Sequence, residues 1–305
     1  MKLKLATTLL LLLSACSKPD SAITTIAPQN LENARELRSA MQQIEPFFER
    51  MRPPEQYDWL GSHRESGQTF EEYLESNPTK PTSERQNIYV LPLGKFTAEQ
   101  KNIINVTSAY LEAFYDLPVT LMSSRILIRP VKNDDIRRNA VTKVEQLRTG
   151  YIMDEILKPI LPADAAALIA FTDVDLFPDS TMYFVFGQAS LSDRVGVWSL
   201  KRLGDKAAHT TFLRRTLKIA THETGHMFSF MHCTKYECVM SGTNYLGETD
   251  RRPIDACPEC MAKVCWMSDV SPSERYGKLA AFCRRNDLKK EAEEFEKKLT
   301  AIKHE

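Results

Sequence analysis

The sequence from residue 222 to residue 232 reads His222-Glu223-Thr224-Gly225-His226-Met227-Phe228-Ser229-Phe230-Met231-His232. His222 and His226 are four residues apart, so on a helix they differ by only about 40° in azimuth and both imidazoles can reach one cation. Glu223 lies beside them, where its carboxylate can contact a water on that cation without being a ligand. His232 must arrive from beyond the helix end. The spacing predicts an open zinc site of the catalytic type, with three histidine ligands and a fourth position for water.

The five-residue pattern alone is weak, because HExxH also occurs by chance on ordinary helices. What strengthens it is the continuation of the chain. A third histidine stands at His232, and Cys233, Cys238 and Met240 follow closely. These additional residue types at short spacing favour a zinc enzyme over a chance match.

The extended pattern resembles the archaemetzincins, a family in the metzincin clan of zinc peptidases. It consists of HExxHxxGxxHC, four residues, CxM, and a later CxxC; here it stands as His222 to Cys233, Cys238-Val239-Met240 and Cys257-Pro258-Glu259-Cys260. Further stretches that are similar to the family are 58–60 with 67–70, 173–176, 184–189 and 248–253. The resemblance runs from about residue 58 to residue 266 and does not account for the first 50 residues or the charged tail.

The resemblance implies an α/β (α+β) fold: a compact metzincin-like domain with a mixed twisted sheet, an active-site helix and a four-cysteine zinc knuckle. It also implies a zinc-dependent metallopeptidase in which Glu223 acts as general base and acid, with Met240 in the Met-turn beneath the ligands. Two zinc ions are expected. The catalytic ion would be held by His222, His226 and His232, and the structural ion by Cys233, Cys238, Cys257 and Cys260.

Ser229 is the one departure from the motif, which has glycine at that position. The glycine ends the helix and turns the chain back, usually with positive φ, and a non-glycine residue costs about 1 kcal/mol in that conformation. Either Ser229 tolerates the strain or the turn is built differently, and the approach of His232 depends on which is true.

The cysteines allow two interpretations. Their spacings are typical of a tetrahedral thiolate site, but exported cysteines often form disulfides, so Cys233 and Cys238 could also pair with each other or with the later two. Cys265 and Cys283 are either buried thiols or a disulfide. The sequence leaves both alternatives open.

Two further features concern the substrate, which we expect to be a peptide or protein. Residues 182–189 are the candidate wall along which an extended peptide would lie. Tyr245 is a candidate donor to the developing oxyanion, although its distance from Met240 is longer than is usual for such a tyrosine. The motif does not separate an aminopeptidase from an endopeptidase. The alternative function is a membrane-tethered zinc-binding scaffold that recognises peptides with little or no turnover.

The N-terminus resembles the signal of a bacterial lipoprotein. Lys2 and Lys4 precede an apolar run that is too short to span a bilayer as a mature helix, and the run ends in Leu13-Ser14-Ala15-Cys16. Cys16 is therefore the predicted lipidation site. We expect an exported protein that is anchored by this lipid on the periplasmic side of the cell envelope, and Ser17 favours the outer membrane.

The 40 basic and 40 acidic residues balance, which argues against a nucleic-acid partner. We expect a monomer.

The chain is predicted to divide into five parts: a signal peptide at 1–15, a tether at 16–30, a helix and wrapping segment at 31–85, the catalytic domain at 86–270 and charged helices at 271–305. Helices are predicted at 31–51, after the Thr97 capping box, from Thr142 towards Leu161, at 210–229 and in the tail; strands are predicted at 88–93, 119–122, 126–128, 167–172, 182–186 and 195–200.

Overall fold

The computed structural model describes residues 28–204 and 207–303. The predicted signal peptide, Cys16 and the tether up to residue 27 lie outside these residues. Within the described ranges, no helix combines the length and the apolar character that crossing a bilayer requires.

Helices make up both ends of the described chain and flank the sheet in its middle. In chain order they are α1 (Pro28–Ile44), α2 (Trp59–Ser62), α3 (Phe70–Glu75), α4 (Ala98–Tyr115), α5 (Thr149–Tyr151), α6 (His209–Met227), α7 (Leu246–Arg251), α8 (Pro258–Ser268), α9 (Pro272–Arg285) and α10 (Lys289–Lys303). The predicted capping box at α4 is confirmed, because the Thr97 hydroxyl accepts from the Gln100 N–H and the Gln100 amide oxygen accepts from the Thr97 N–H.

The strands form two sheets. In chain order they are β1 (Asn87–Leu93), β2 (Val119–Leu121), β3 (Ile136–Arg138), β4 (Glu145–Arg148), β5 (Ala165–Thr172), β6 (Asp175–Phe177), β7 (Gly187–Ala189) and β8 (Val195–Ser199). The larger sheet has the order β2-β1-β5-β8-β7, and the smaller has the order β3-β4-β6. All pairs of the larger sheet are parallel except β7 with β8, so β7 is an antiparallel edge strand.

The core lies on both faces of the larger sheet. All eight residues of β5 are buried, as expected for a continuous apolar strand in the centre of a parallel sheet. One face packs against α4 and α6, with Val90 and Ile169 among the buried side chains. The other face packs against β4 and the residues after α5, with Leu168 and Val197 buried there. This sandwich fixes α6 beside the edge strand β7 and confirms the predicted α/β class with a mixed sheet.

Three of the predicted elements are wrong. The helix expected from Thr142 is replaced by a turn, the strand β4 and then α5 with a π-helical segment at Ile152–Leu157. The Asn139 side chain accepts from the N–H groups of Val141 and Thr142, which builds that turn and removes Thr142 as a helix cap. Residues 126–128 are not a strand, and the strand expected at 182–186 lies instead at β7.

Candidate active site and metal centres

Helix α6 places His222 and His226 on one face with their Nε2 atoms 3.0 Å apart. The Nδ1–H of His222 donates to the Val239 carbonyl at 2.9 Å, and that of His226 donates to the Phe230 carbonyl at 2.6 Å. Since a carbonyl oxygen can only accept, these bonds fix the tautomer and leave a lone pair on each Nε2. Two lone pairs that face each other at this distance repel unless a cation lies between them, so the pair fits a metal ion.

Burial keeps both imidazoles neutral. Burial first, and then the neighbouring His226 and His232, hold the pKa of His222 well below its ordinary value. Burial and the neighbouring His232 lower the pKa of His226 to about 4. Neutral imidazole is the form that ligates a metal.

His232 completes the site from outside the helix. Its ring centroid lies 5.1 Å from that of His222 and 5.0 Å from that of His226. One ligand atom from each of the three histidines lies within 4.8 Å of the others. The Nδ1–H of His232 donates to both carboxylate oxygens of Glu65, at 2.9 and 3.0 Å. The three predicted ligands therefore converge. The contact between His232 and Glu65 was not predicted from the sequence.

The turn between the helix and His232 keeps the shape that the motif glycine would give. Ser229 adopts φ = 65°, the left-handed region in which side chains are strained. Its hydroxyl accepts from the N–H of Thr79 at 3.0 Å. Of the two alternatives for this turn, the structure has the first: Ser229 tolerates the strain, and the bond from Thr79 offsets part of it.

Glu223 lies beside the histidines and is only 8% exposed. Burial raises its pKa to about 8 when no metal ion is present. Gly187 of β7 packs closely against it, since a Cβ at that glycine would lie 2.9 Å from Glu223 Cγ. The edge strand and the carboxylate are thus held next to each other.

A cavity of about 560 Å³ opens over these groups. It is lined by Glu223 and the three histidines, by β7, by the segment that contains Trp59 and Glu65, and by residues after Met240 such as Thr243. A cleft of this size, with polar groups converging at its floor, is the usual form of a ligand site.

The four cysteines form a second cluster. The Sγ atoms of Cys233, Cys238, Cys257 and Cys260 all lie within 4.8 Å of one another and are buried. The backbone N–H groups of Met240 and Cys257 donate to Cys238 Sγ at 3.4 and 3.3 Å, as is typical of a thiolate ligand. None of the described cysteines forms a disulfide. The donor set fits zinc, which four soft thiolates bind in a closed tetrahedral site.

The thiols of this cluster differ in acidity. Hydrogen bonds from neighbouring thiols, the largest from Cys238, hold the pKa of Cys233 well below its usual range. Burial raises the pKa of Cys238 and of Cys257 well above that range. Four buried thiols can all become thiolates only with a cation among them, which again favours a metal ion.

The two clusters are joined by the residues from Cys238 to Met240. The Val239 carbonyl accepts from His222, and Met240 packs beneath the histidines, where a Cβ at Gly225 would lie 2.7 Å from Met240 Sδ. The carbonyl of Met240 accepts from the Cys233 N–H at 2.8 Å. Met240 therefore lies where the Met-turn was expected, with its sulfur against the active-site helix.

Tyr245 does not occupy the position predicted for it. Its hydroxyl donates to Asp58 at 2.9 Å and accepts from Arg251 at 3.0 Å. It does not line the cavity over the histidines. The tyrosine belongs to a structural ion-pair network and is not placed to donate to an oxyanion over the histidines.

Cys265 and Cys283 are buried free thiols. Of the two alternatives predicted for them, the structure therefore has buried thiols and no disulfide.

Comparison with known proteins identifies the family. Residues 100–265 match Peptidase family M54. The archaemetzincin-2 of Rattus norvegicus is 32% identical over 277 residues, which cover 79% of this chain and 76% of that protein. The archaemetzincin-2 of Homo sapiens is 30% identical over 296 residues, which cover 85% and 81%. A solved archaemetzincin from Archaeoglobus fulgidus, complexed with malonate, is 27% identical, covers 58% of this chain and 99% of that one, and superposes with a TM-score of 0.47.

The fold and the two donor sets define a zinc metallopeptidase. The chain belongs to Peptidase family M54, the archaemetzincin family.

Proposed function

We propose that this protein hydrolyses peptide bonds and that Glu223 is the proton carrier of the reaction. The observation that supports this most directly is a carboxylate that adjoins three convergent imidazoles on the floor of one cavity. Zinc, when bound by His222, His226 and His232, supplies the Lewis acidity that activates water and polarises the scissile carbonyl. Glu223 accepts the proton of the attacking water and then donates it to the leaving amine.

The substrate lies extended along β7. Gly187 to Ala189 pair with β8 on one side only, so the other edge of the strand offers backbone donors and acceptors to a peptide. Gly187 places that edge directly beside Glu223. Main-chain pairing holds the scissile bond near the carboxylate with little dependence on the side chains of the substrate.

The decisive experiment is a cleavage screen with a peptide mixture, comparing the wild type with Glu223→Gln. We expect cleavage by the wild type and a loss of about 10²- to 10⁴-fold in the variant. Acetylated and free N-termini in the mixture separate an endopeptidase from an aminopeptidase. Equal turnover by both proteins would overturn the role of Glu223. A wild type that binds peptides of the mixture but cleaves none would favour the alternative function, a zinc-binding scaffold that recognises peptides with little or no turnover.

Each cluster holds one zinc ion in this proposal. Three imidazoles form the open site, and four thiolates form the closed one. Elemental analysis of the purified protein should give two zinc ions per chain. A single ion would refute the assignment of one of the clusters, and the variants Cys257→Ser and His226→Ala would show which.

The chain is attached to a membrane through Cys16 in this proposal, on the strength of the basic start, the apolar run and the small residues before the cysteine. Palmitate labelling of the wild type and of Cys16→Ser tests it. We expect label and membrane fractionation to disappear together in the variant. A variant that stays membrane-bound would contradict the anchor.

A further inference from the structure

Of the three histidines, His232 is the one whose backbone is not held by regular secondary structure. His222 and His226 belong to a helix of 19 residues, which fixes their directions by its own geometry. His232 lies five residues beyond the end of that helix, in a stretch without regular structure. Its orientation must come from contacts with other parts of the chain.

Residues 65–68 supply those contacts and are called the strap here. The Gln68 side chain accepts from the Met231 N–H at 3.2 Å and donates to the Ser229 carbonyl at 3.4 Å. The Thr234 hydroxyl donates to the Ser66 carbonyl at 3.2 Å. Bonds on both sides of His232 therefore hold its backbone against the strap.

The strap itself is anchored in the four-cysteine region. Lys263 is completely buried, and its ammonium group donates to the Gln68 carbonyl at 2.6 Å and to the Gln68 side-chain oxygen at 3.0 Å. Lys263 lies on α8, the helix that also carries Cys260. The strap is therefore a fixed support.

The imidazole of His232 differs from the other two in its outer partner. His222 and His226 donate to backbone carbonyls, which are neutral and part of the same local structure. His232 donates to a carboxylate, that of Glu65, which lies 167 residues earlier in the chain. A carboxylate that accepts from Nδ1–H fixes the tautomer and the ring plane, and it makes the Nε2 atom a stronger donor to a metal.

We propose that Glu65 is a positioning residue that orients His232 and increases its affinity for the metal ion. Glu65 lines the cavity, but the role proposed for it is exerted through the imidazole of His232. The inference rests on the metal site of the proposed function, but it concerns metal binding and can be tested without a substrate.

The test is a cobalt titration of the zinc-free chain. Thiolate charge-transfer absorption reports the four-cysteine site, and the weaker visible absorption reports the histidine site. We expect Glu65→Ala to weaken cobalt binding at the histidine site by about 10- to 100-fold and to leave the four-cysteine site unchanged. Glu65→Gln keeps an oxygen that accepts from Nδ1–H, so it should recover most of the loss.

The matched control is Glu75→Ala, because Glu75 is an exposed glutamate at the end of α3, ten residues after Glu65. Its histidine site should bind cobalt as the wild type does. An affinity of Glu65→Ala within twofold of the wild type would overturn the proposal. Equal losses at both metal sites would also overturn it, because that result points to general destabilisation of the fold.

Failure of the proposed function gives a different result. If the wild type cleaved no peptide, hydrolysis would be refuted, while the ratio of cobalt affinities between wild type and variant would still decide the role of Glu65.

Discussion

His222 donates a hydrogen bond from Nδ1 to the carbonyl oxygen of Val239 at 2.9 Å. Val239 is the residue directly after Cys238, whose sulfur belongs to the four-cysteine cluster. The orientation of a catalytic-site ligand therefore depends on a backbone segment that the cysteine cluster holds. His232 has a similar relation to the cluster, because Cys233 follows it directly.

The first prediction follows from this connection. Cys257→Ser removes one thiolate of the cluster, so the segment from Cys238 to Met240 loses part of its support. We expect about 10-fold weaker metal binding at the histidine site, although no histidine is altered. Cobalt titration measures this, with Cys283→Ser as the control because Cys283 is also buried but lies outside the cluster. Unchanged affinity in Cys257→Ser would show that the two sites are independent.

The second prediction concerns Glu223 and pH. Burial raises its pKa from 4.5 to about 8 in the absence of metal, so between these values the folded protein keeps a proton that the unfolded chain has lost. Folding then becomes less favourable as the pH rises from 4.5 to 8, by about 1.4 kcal/mol per pH unit. Glu223→Gln cannot ionise and avoids this cost.

We therefore expect Glu223→Gln to be more stable than the wild type by a few kcal/mol at pH 9, and to be equally stable near pH 4. Urea denaturation with the histidine site emptied by a mild chelator measures both. A difference that does not change with pH would contradict the raised pKa. The variant would be more stable and inactive, as is common where a buried catalytic group is removed.

The third prediction concerns the turn at Ser229. Ser229→Ala keeps the strained φ and loses the bond from Thr79, so it should destabilise the protein by about 1 kcal/mol. Ser229→Gly loses the same bond but relieves about 1 kcal/mol of strain, so its stability should be close to that of the wild type. Chemical denaturation of the two variants separates these terms. A glycine variant less stable than the alanine variant would show that the strain is negligible.

Local spacing explains why the sequence predicted the metal ligands. His222 to His232 span eleven residues, and the helix geometry connects the first two directly. The cysteines stand in two short pairs with typical spacing. The α/β class followed from the alternation of apolar runs, and the centre of the sheet at β5 is the clearest example.

The rest depends on contacts between distant parts of the chain. Glu65 is an acidic residue in a polar stretch, and nothing in its sequence neighbourhood indicates a partner 167 residues away. The false helix at Thr142 had a good local capping pattern, but β4 pairs with β3 and β6, and that pairing outweighs helix propensity. The prediction for Tyr245 was wrong for a similar reason, because its hydroxyl bonds Asp58, which is distant in the sequence, and Arg251.

The fourth prediction tests whether Tyr245 has a structural role and not the predicted role as an oxyanion donor. Tyr245→Phe removes a hydroxyl that bonds Asp58 and Arg251, which also pair with each other. We expect a loss of about 1 kcal/mol in stability and a kcat/KM within about threefold of the wild type. Steady-state kinetics on a peptide found in the cleavage screen checks this. A fall of about 10²-fold in kcat at unchanged KM would restore the oxyanion role.

The fifth prediction concerns the contact between Gly187, in the edge strand β7, and the carboxylate side chain of Glu223. A Cβ at Gly187 would lie 2.8 Å from Trp198 Cβ and 2.9 Å from Glu223 Cγ, so Gly187→Ala must displace β7 or the carboxylate. Since a shift of about 1 Å in a catalytic group can cost about 10²-fold in rate, we expect kcat/KM to fall by about 10- to 100-fold. Gly277→Ala is the control, because no atom lies within 4 Å of a Cβ there and the change in a helix is mildly stabilising. Metal affinity should stay the same in both variants, as neither glycine contacts a ligand. Full activity in Gly187→Ala would mean that the edge strand yields freely, and that Glu223 is not held in place by β7.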